Sequence, residues 1–173
     1  LSIRSTFISA SILNTTNSTY TLTGNVVSAG TCFTINNASI TLDCKGYFIN
    51  YSQSAVGSAI INSVETNDNT TVKNCVIYQG SSIGSSDAID LSNADNITLN
   101  NITMNIRGSS LNGVDIASTS GNFTINKLNI TANGSSTVGI RASGWQHYIA
   151  NSTMLMTGSS AFGIQCFGQG GFT

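Results

Sequence analysis

A chain of 173 residues with a formal net charge of −1 and only 8% charged residues has no surface of clustered Lys and Arg. It is therefore not expected to bind nucleic acid or an acidic membrane surface. No apolar run approaches the roughly 20 residues needed to cross a bilayer. Ser, Thr, Asn and Gly are abundant, but the mean hydropathy is +0.12 and apolar residues recur regularly. This combination predicts a folded chain of strands and turns with almost no helix.

The first 30 residues contain two apolar-bearing strands, "STFISASIL" (5–13) and "TYTLTGNVV" (19–27). The end of a sheet exposes unpaired backbone groups and must be covered. Residues 1–30 are therefore predicted to form an N-terminal cap or an irregular first coil. The chain starts at Leu1 rather than Met, so we expect a processed or partial chain from which any signal peptide has been removed.

Residues 31–173 repeat a three-strand unit of about 26 residues. The first strand recurs at spacings of 27, 29, 25, 26 and 24 residues as "CFTI" (32–35), "AIIN" (59–62), "AIDL" (88–91), "GVDI" (113–116), "GIRA" (139–142) and "GIQC" (163–166). A second strand follows in phase as "SITLDC" (39–44), "NTTVKN" (69–74), "NITLNN" (96–101), "NFTINK" (122–127) and "QHYIAN" (146–151). The third is "YFINY" (47–51), "CVIYQ" (75–79), "ITMNI" (102–106), "LNITA" (128–132) and "STMLM" (152–156).

One such unit has an apolar side too small to bury alone, so the units are expected to stack on one another. The sequence predicts an all-β parallel β-helix of about six coils, with the C-terminal end open. An antiparallel β-sandwich is the alternative, but it would show hairpin turns rather than in-phase columns. Period-2 alternation directs inward Phe33, Ile35, Ile97, Leu99, Ile102, Met104, Ile106, Val114, Ile116, Phe123, Ile125, Leu128 and Ile130.

One column ends the second strand of every unit, at the corner before the third. Asn tolerates the left-handed backbone that a sharp corner needs, and stacked Asn amides can bond to one another. Asn74, Asn101 and Asn151 are therefore predicted to form a corner ladder. The full column consists of Cys44, Asn74, Asn101, Lys127 and Asn151.

The corner Asn column, the three strands per coil and the Asn-Ile-Thr-Leu phrasing resemble the right-handed parallel β-helix superfamily, which includes pectate lyases and polygalacturonases. The segment "YTLTGNVVSAGTCFTINNASITLDCKGYFIN" (20–50) is similar to the opening of β-helix domains in predicted archaeal and other microbial cell-surface proteins. The resemblance covers most of the chain and implies a right-handed solenoid. It does not define an activity, because this fold hosts many functions.

The resemblance also implies a disulfide, because Cys32 and Cys44 occur together in the similar domains. A bond between Cys44 and Cys75 on neighbouring coils is the alternative that stacking allows. Cys166 lies three coils beyond Cys75, about 14 Å away by the stacking rise, which is too far for a disulfide. Cys75 and Cys166 are predicted to be buried thiols.

An enzymatic alternative rests on outward positions of the first strand. Stacking places Asp90 and Asp115 about 5 Å apart, with Arg141 one coil further on. Two carboxylates could act as acid and nucleophile on a polysaccharide, and the Arg could bind an acidic sugar. Neither Asp lies in an Asn-Thr-Asp or Gly-His-Gly phrase like those of polygalacturonases, and long loops that would wall a cleft are missing. A surface ladder in which Arg141 offsets Asp115 is the favoured interpretation, so no catalytic residue is predicted.

No cofactor or metal site is predicted, because metal sites need converging ligands that are usually His or Cys. The single His147 falls on an inward position and is interpreted as a packed residue. Met104, Met154 and Met156 fall on core positions.

Eleven Asn-x-Ser/Thr sequences occur where composition alone predicts about six, which indicates an exported glycoprotein. Asn96 is predicted to carry sugar more readily than Asn101 or Asn151, whose amides belong to the corner ladder. The favoured function is a structural extracellular or cell-surface module that associates with itself end to end, with a head-to-tail filament as one form of assembly. The predicted acceptors are Asn14, Asn17, Asn37, Asn50, Asn69, Asn96, Asn122, Asn129 and Asn133.

Overall fold

The computed structural model describes residues 4–7, 10–62, 68–81, 84–92, 94–117, 121–144, 146–167 and 171–172. Within these ranges the regular structure consists of strands, and every strand pairing is parallel. The strands are β1 (Arg4–Phe7), β2 (Ser11–Leu13), β3 (Thr19–Leu22), β4 (Val26–Val27), β5 (Phe33–Ile35), β6 (Thr41–Asp43), β7 (Phe48–Tyr51), β8 (Ile60–Asn62), β9 (Thr71–Gln79), β10 (Ile89–Asp90), β11 (Ile97–Ile106), β12 (Asn112–Ala117), β13 (Asn122–Ala132), β14 (Val138–Ser143), β15 (Gln146–Ala150), β16 (Thr153–Met156), β17 (Phe162–Phe167) and β18 (Gly171–Phe172).

These strands form a β-solenoid with two long hydrogen-bonded sheets. A seven-stranded sheet has the order β17-β14-β12-β10-β8-β5-β2 and takes one strand from each coil. An 11-stranded sheet takes the remaining strands, with β1-β3-β6-β9-β11-β13-β15-β18 as its main path. Val114 pairs with Ile89 on one side and with Ile140 on the other, so the register follows the repeat of the sequence. The predicted parallel β-helix is confirmed.

The second and third predicted strands of a coil are joined in the middle of the solenoid. In β9, β11 and β13 the chain runs through the corner as one strand of 9, 10 and 11 residues. The corner residues Asn74, Asn101 and Lys127 have φ between 55° and 57°. They therefore adopt the left-handed conformation that the sequence predicts for this column.

The first corner differs, because the chain between β6 and β7 is longer there. Lys45 and Gly46 have the positive φ values, 54° and 86°, in place of the predicted Cys44. Two further left-handed columns were not predicted. One column precedes strands of the 11-stranded sheet and consists of Ser39, Asn69 and Asn96. The other lies in the Gly/Ser-rich turns and consists of Ser52, Ser110, Ser136 and Ser160. In both columns φ lies between 54° and 59°.

The core runs through the centre of all the coils. Every residue that alternation directs inward is at most 2% exposed, from Phe33 to Ile130. His147 is 4% exposed and stacks on Phe123 with ring centroids 4.1 Å apart, as expected for a packed residue. Met104 is buried, whereas Met154 and Met156 are partly buried against the core.

The predicted Cys32–Cys44 disulfide is wrong. Cys44 bonds to Cys75 on the next coil, with the two Cα atoms 4.9 Å apart. Stacking brings these two corner residues together. Cys32 instead directly precedes β5 of the other sheet, and its thiol points at the Asn50 carbonyl oxygen, 3.8 Å away. Burial raises the pKa of Cys32 to about 12. Cys75 is therefore not a free thiol, and Cys166 is free but exposed rather than buried.

Candidate functional site

The enzymatic alternative depends on one row of the seven-stranded sheet. The structure aligns its three members on successive coils, but Asp115 is buried rather than exposed as predicted. Asp90 pairs with Asp115, and Asp115 pairs with Arg141 on the next coil. Arg141 Nη1 donates to Asp115 Oδ2 over 2.9 Å. The Arg141 guanidinium also lies 5.3 Å from the centroid of the Phe167 ring. The ion pair is thus held in place by a cation–π contact.

Sequence reasoning missed Asp87, whose negative charge acts on the Asp115 carboxyl group. Asn112 organises this carboxyl pair: its backbone N–H donates to Asp87 Oδ1 over 2.6 Å, and its side-chain amide donates to Asp87 Oδ2 over 3.1 Å. The Asn112 amide also lies 3.4 Å from Asp115 Oδ2. Asp87 precedes the strand and lies outside the alternating pattern, so the repeat gave no signal for it.

The side-chain carboxyl groups of Asp87 and Asp115 both have raised pKa values. Asp115 is 6% exposed, and burial raises its pKa to about 6, with a further increase from the Asp87 charge against the opposing bond from Arg141. Burial likewise raises the pKa of Asp87. Asp115 Oδ1 is buried and accepts no hydrogen bond from the described residues.

The raised pKa values predict that stability falls as pH rises. The folded state binds these protons more tightly than the unfolded chain, so their stabilising effect is complete near pH 4 and is lost as pH passes 6. We expect the free energy of unfolding to decrease by on the order of 2 kcal/mol across this window. Urea denaturation at several pH values measures it. Asp115→Asn, which stays uncharged, should remove most of the slope, and an unchanged slope in that variant would contradict the assignment.

A second concave feature lies on another face, where the third strand of a coil enters its turn. It is a groove of about 340 Å³. Sequence reasoning did not find it; the available signal was Tyr78, an aromatic residue at an outward position. The lining residues are Asn50, Tyr78, Gln79, Gly80, Ser81, Asn105 and Arg107.

The corner ladder forms over part of the column. Asn101 donates its amide to Asn74 Oδ1 over 2.9 Å, and Asn74 donates to Asp43 Oδ1 over 3.0 Å. Lys127 interrupts the ladder, so Asn151 donates instead to Asn126, over 2.9 Å. The Asn101 amide is therefore engaged in the ladder, whereas the predicted place of Asn151 in it is wrong, because its amide bonds outside the corner column. Both residues are exposed rather than shielded.

The predicted sugar acceptors differ in their surroundings. Asn37 is half-buried and donates its amide nitrogen to the Asn14 carbonyl oxygen over 3.1 Å. Asn50 is half-buried and accepts a bond from Gln53 over 2.6 Å. The other predicted acceptors are exposed: Asn14, Asn17, Asn69, Asn96, Asn122, Asn129 and Asn133.

Over the residues that the structure describes, no group of three or more His, Cys, Asp or Glu side chains is placed to hold a metal ion. The same residues include no helix long and apolar enough to cross a membrane. In comparisons with known proteins, no family model, no curated protein and no solved structure matches this sequence.

Proposed function

We propose that the chain is a structural extracellular glycoprotein module, of the kind found in microbial cell-surface layers or filaments. In this proposal, copies of the chain stack end to end. The end face of the solenoid carries the proposal. On β17, Phe162 is 54% and Ile164 is 45% exposed, although their neighbours on β14, Val138 and Ile140, are 7% and 0% exposed. These side chains continue the inward core rows, so the end of the core faces outward. A further coil would bury it.

The seven-stranded sheet supplies the complementary edge. It ends at β17 on one side and at β2 on the other, and both are parallel to all strands between them. Pairing β17 of one copy with β2 of the next would extend the sheet without reversing its direction. A contact between two different surfaces, repeated without closing, gives an open filament.

The test is the assembly state of the 173-residue chain and of a charged variant. The unmodified chain should form rods in electron micrographs and sediment as assemblies. Ile164→Lys places a charge where core burial is required, so assembly should need at least roughly tenfold more protein. Val56→Lys is the matched control, because Val56 is 57% exposed on a loop away from both ends. A chain that stays monomeric at millimolar concentration contradicts the proposal.

The disulfide and the exposed acceptor asparagines support an extracellular location and glycosylation. Disulfides such as Cys44–Cys75 persist in oxidising compartments. Exposed acceptor asparagines are distributed over the coils, and sugars on them would supply solubility to a surface with few charges. We still expect sugar on Asn96 more readily than on Asn101, because the Asn101 amide nitrogen is donated to Asn74.

A second candidate function is recognition or cleavage of a polysaccharide at Asp90, Asp115 and Arg141. The raised pKa of Asp115, about 6, favours it, because a general acid needs a proton near neutral pH. In this candidate Asp115 protonates the leaving sugar oxygen and Arg141 binds an acidic substrate group. A reducing-end assay on acidic and neutral polysaccharides tests it: turnover that Asp115→Asn abolishes would place this function above the structural one.

A further inference from the structure

The groove beside Tyr78 is built around an outward row of three residues on successive coils. Asn50 pairs with Tyr78, and Tyr78 pairs with Asn105. The Tyr78 side chain is 43% exposed. Its ring meets Phe48 edge-on, with centroids 6.0 Å apart and an interplanar angle of 71°. Phe48 thus supports one edge of the Tyr78 ring, and amide side chains flank the ring on both neighbouring coils.

Gln79 holds the backbone of the groove in place at Arg107. Gln79 is 5% exposed, and its Oε1 accepts the backbone N–H groups of Arg107 and Gly108, each over 2.8 Å. Its Nε2 is buried and has no partner among the described residues. The backbone at Arg107 is therefore anchored to the preceding coil, whereas one buried donor beside the groove is left unsatisfied.

Charge in the groove is of one sign. Its lining residues include Arg107 but no Asp or Glu. The three ion pairs found in the described part of the chain involve Lys45, Lys73 and Arg141, so Arg107 belongs to none of them. An exposed guanidinium with no carboxylate partner among the described residues is suited to an anion, which it can hold with two parallel hydrogen bonds.

We propose that this groove binds one or two rings of a carbohydrate that carries a carboxylate. The apolar face of a sugar ring would lie on Tyr78, the amides of Asn50 and Asn105 would bond to hydroxyl groups, and Arg107 would pair with the carboxylate. A volume of about 340 Å³ lies in the range of small-ligand sites, which combine apolar surface with a few placed polar groups. The groove is separate from the Asp90, Asp115 and Arg141 row, which lies on the other sheet.

The experiment uses the 15N-labelled chain, produced in an oxidising compartment of a host without N-glycosylation, so that Asn50 stays unmodified. The ligands are three matched pairs of methyl glycosides: glucuronide and glucoside, galacturonide and galactoside, mannuronide and mannoside. Titration is followed by the amide shifts of Tyr78, Gly80 and Arg107. At least one acidic member should bind with a Kd in the millimolar range, roughly tenfold more tightly than its neutral partner.

Variants separate the roles of the ring and the charge. Arg107→Gln should reduce the preference for the acidic sugar to less than about twofold, because the amide keeps hydrogen bonds but not the charge. Tyr78→Ala should weaken binding of both members at least about fivefold, whereas Tyr78→Phe keeps the ring and should bind normally. Tyr148→Ala is the matched control, since Tyr148 is 52% exposed and does not line the groove.

Three outcomes overturn the proposal. The first is that none of the six glycosides shifts the groove resonances. The second is binding with equal affinity for acidic and neutral members. The third is binding that Tyr78→Ala and Arg107→Gln both leave unchanged while each variant keeps the thermal unfolding temperature of the parent chain. The titrations are run in the Ile164→Lys background, which is expected to resist assembly, so this site and the proposed filament are tested independently.

Discussion

Removing the disulfide with Cys44→Ala/Cys75→Ala lowers the free energy of unfolding by about 3–4 kcal/mol. The bond joins residues 31 positions apart, so its loss frees a loop of that length in the unfolded chain. The chain-entropy relation for such a loop gives the stated magnitude. Both positions face the core and are at most 1% exposed, so alanine avoids burying an unpaired hydroxyl there.

The double variant is preferred to a single one, because a lone Cys44 thiol could pair with Cys32. Urea denaturation of oxidised protein is the measurement, with the midpoint compared at equal slope. Cys166→Ala is the control: Cys166 is free and exposed, so its loss should change the free energy by less than about 0.5 kcal/mol. If reductant leaves the midpoint of the parent chain unchanged, the Cys44–Cys75 bond does not stabilise the fold as stated.

Gly134→Ala is expected to destabilise the solenoid by about 3 kcal/mol or more. A Cβ at Gly134 would lie 1.8 Å from the carbonyl oxygen of Gly108, and one at Gly158 would lie 1.8 Å from that of Gly134. These three glycines stack in the Gly/Ser-rich turns, where one coil's backbone directly contacts the next. The obstacle is backbone and cannot swing aside, so the coils must separate locally and lose hydrogen bonds.

In unassembled protein, Gly163→Ala is the matched control for Gly134→Ala. It makes the same chemical change in the same fold, but a Cβ there meets only Met154 Sδ, at 3.8 Å. Thermal unfolding of both variants, followed by circular dichroism, compares them directly. Equal stability of the two variants would show that the coils are not in close contact at the Gly134 turn.

The fold was predictable because each inward position recurs along the chain. The alternation around Ile97 and Leu99 defined which side chains are buried, and the Asn at 74 and 101 marked one corner. Both features depend on local backbone geometry, which repeats from coil to coil in the middle of the solenoid. The serine column in the Gly/Ser-rich turns was harder to identify, because Ser is common throughout the chain and does not by itself mark a positive φ.

The site was predictable only where it follows the repeat. Asp90, Asp115 and Arg141 are in phase, so stacking alone brings them together. Asp87 lies in a turn, and its approach to Asp115 depends on how Asn112 bonds to it. The prediction of a Cys32–Cys44 disulfide was wrong for a related reason. Cys44 and Cys32 are near in sequence, but the corner between β6 and β7 presents Cys44 to the coil above it.

Lys127 gives the solenoid an uneven resistance to pulling along its length. On one side of it, Asp43, Asn74 and Asn101 are cross-linked through their side chains, and the Cys44–Cys75 bond joins the same coils covalently. On the other side, the coils are joined without a covalent bond, by the Asn151 amide on Asn126, the Arg141–Asp115 ion pair and the Arg141–Phe167 contact. Because each coil contacts only its neighbours, a pulling force is expected to peel coils away from the β17 end first. The coils held by Cys44 and Cys75 would then form the mechanical anchor of the rod.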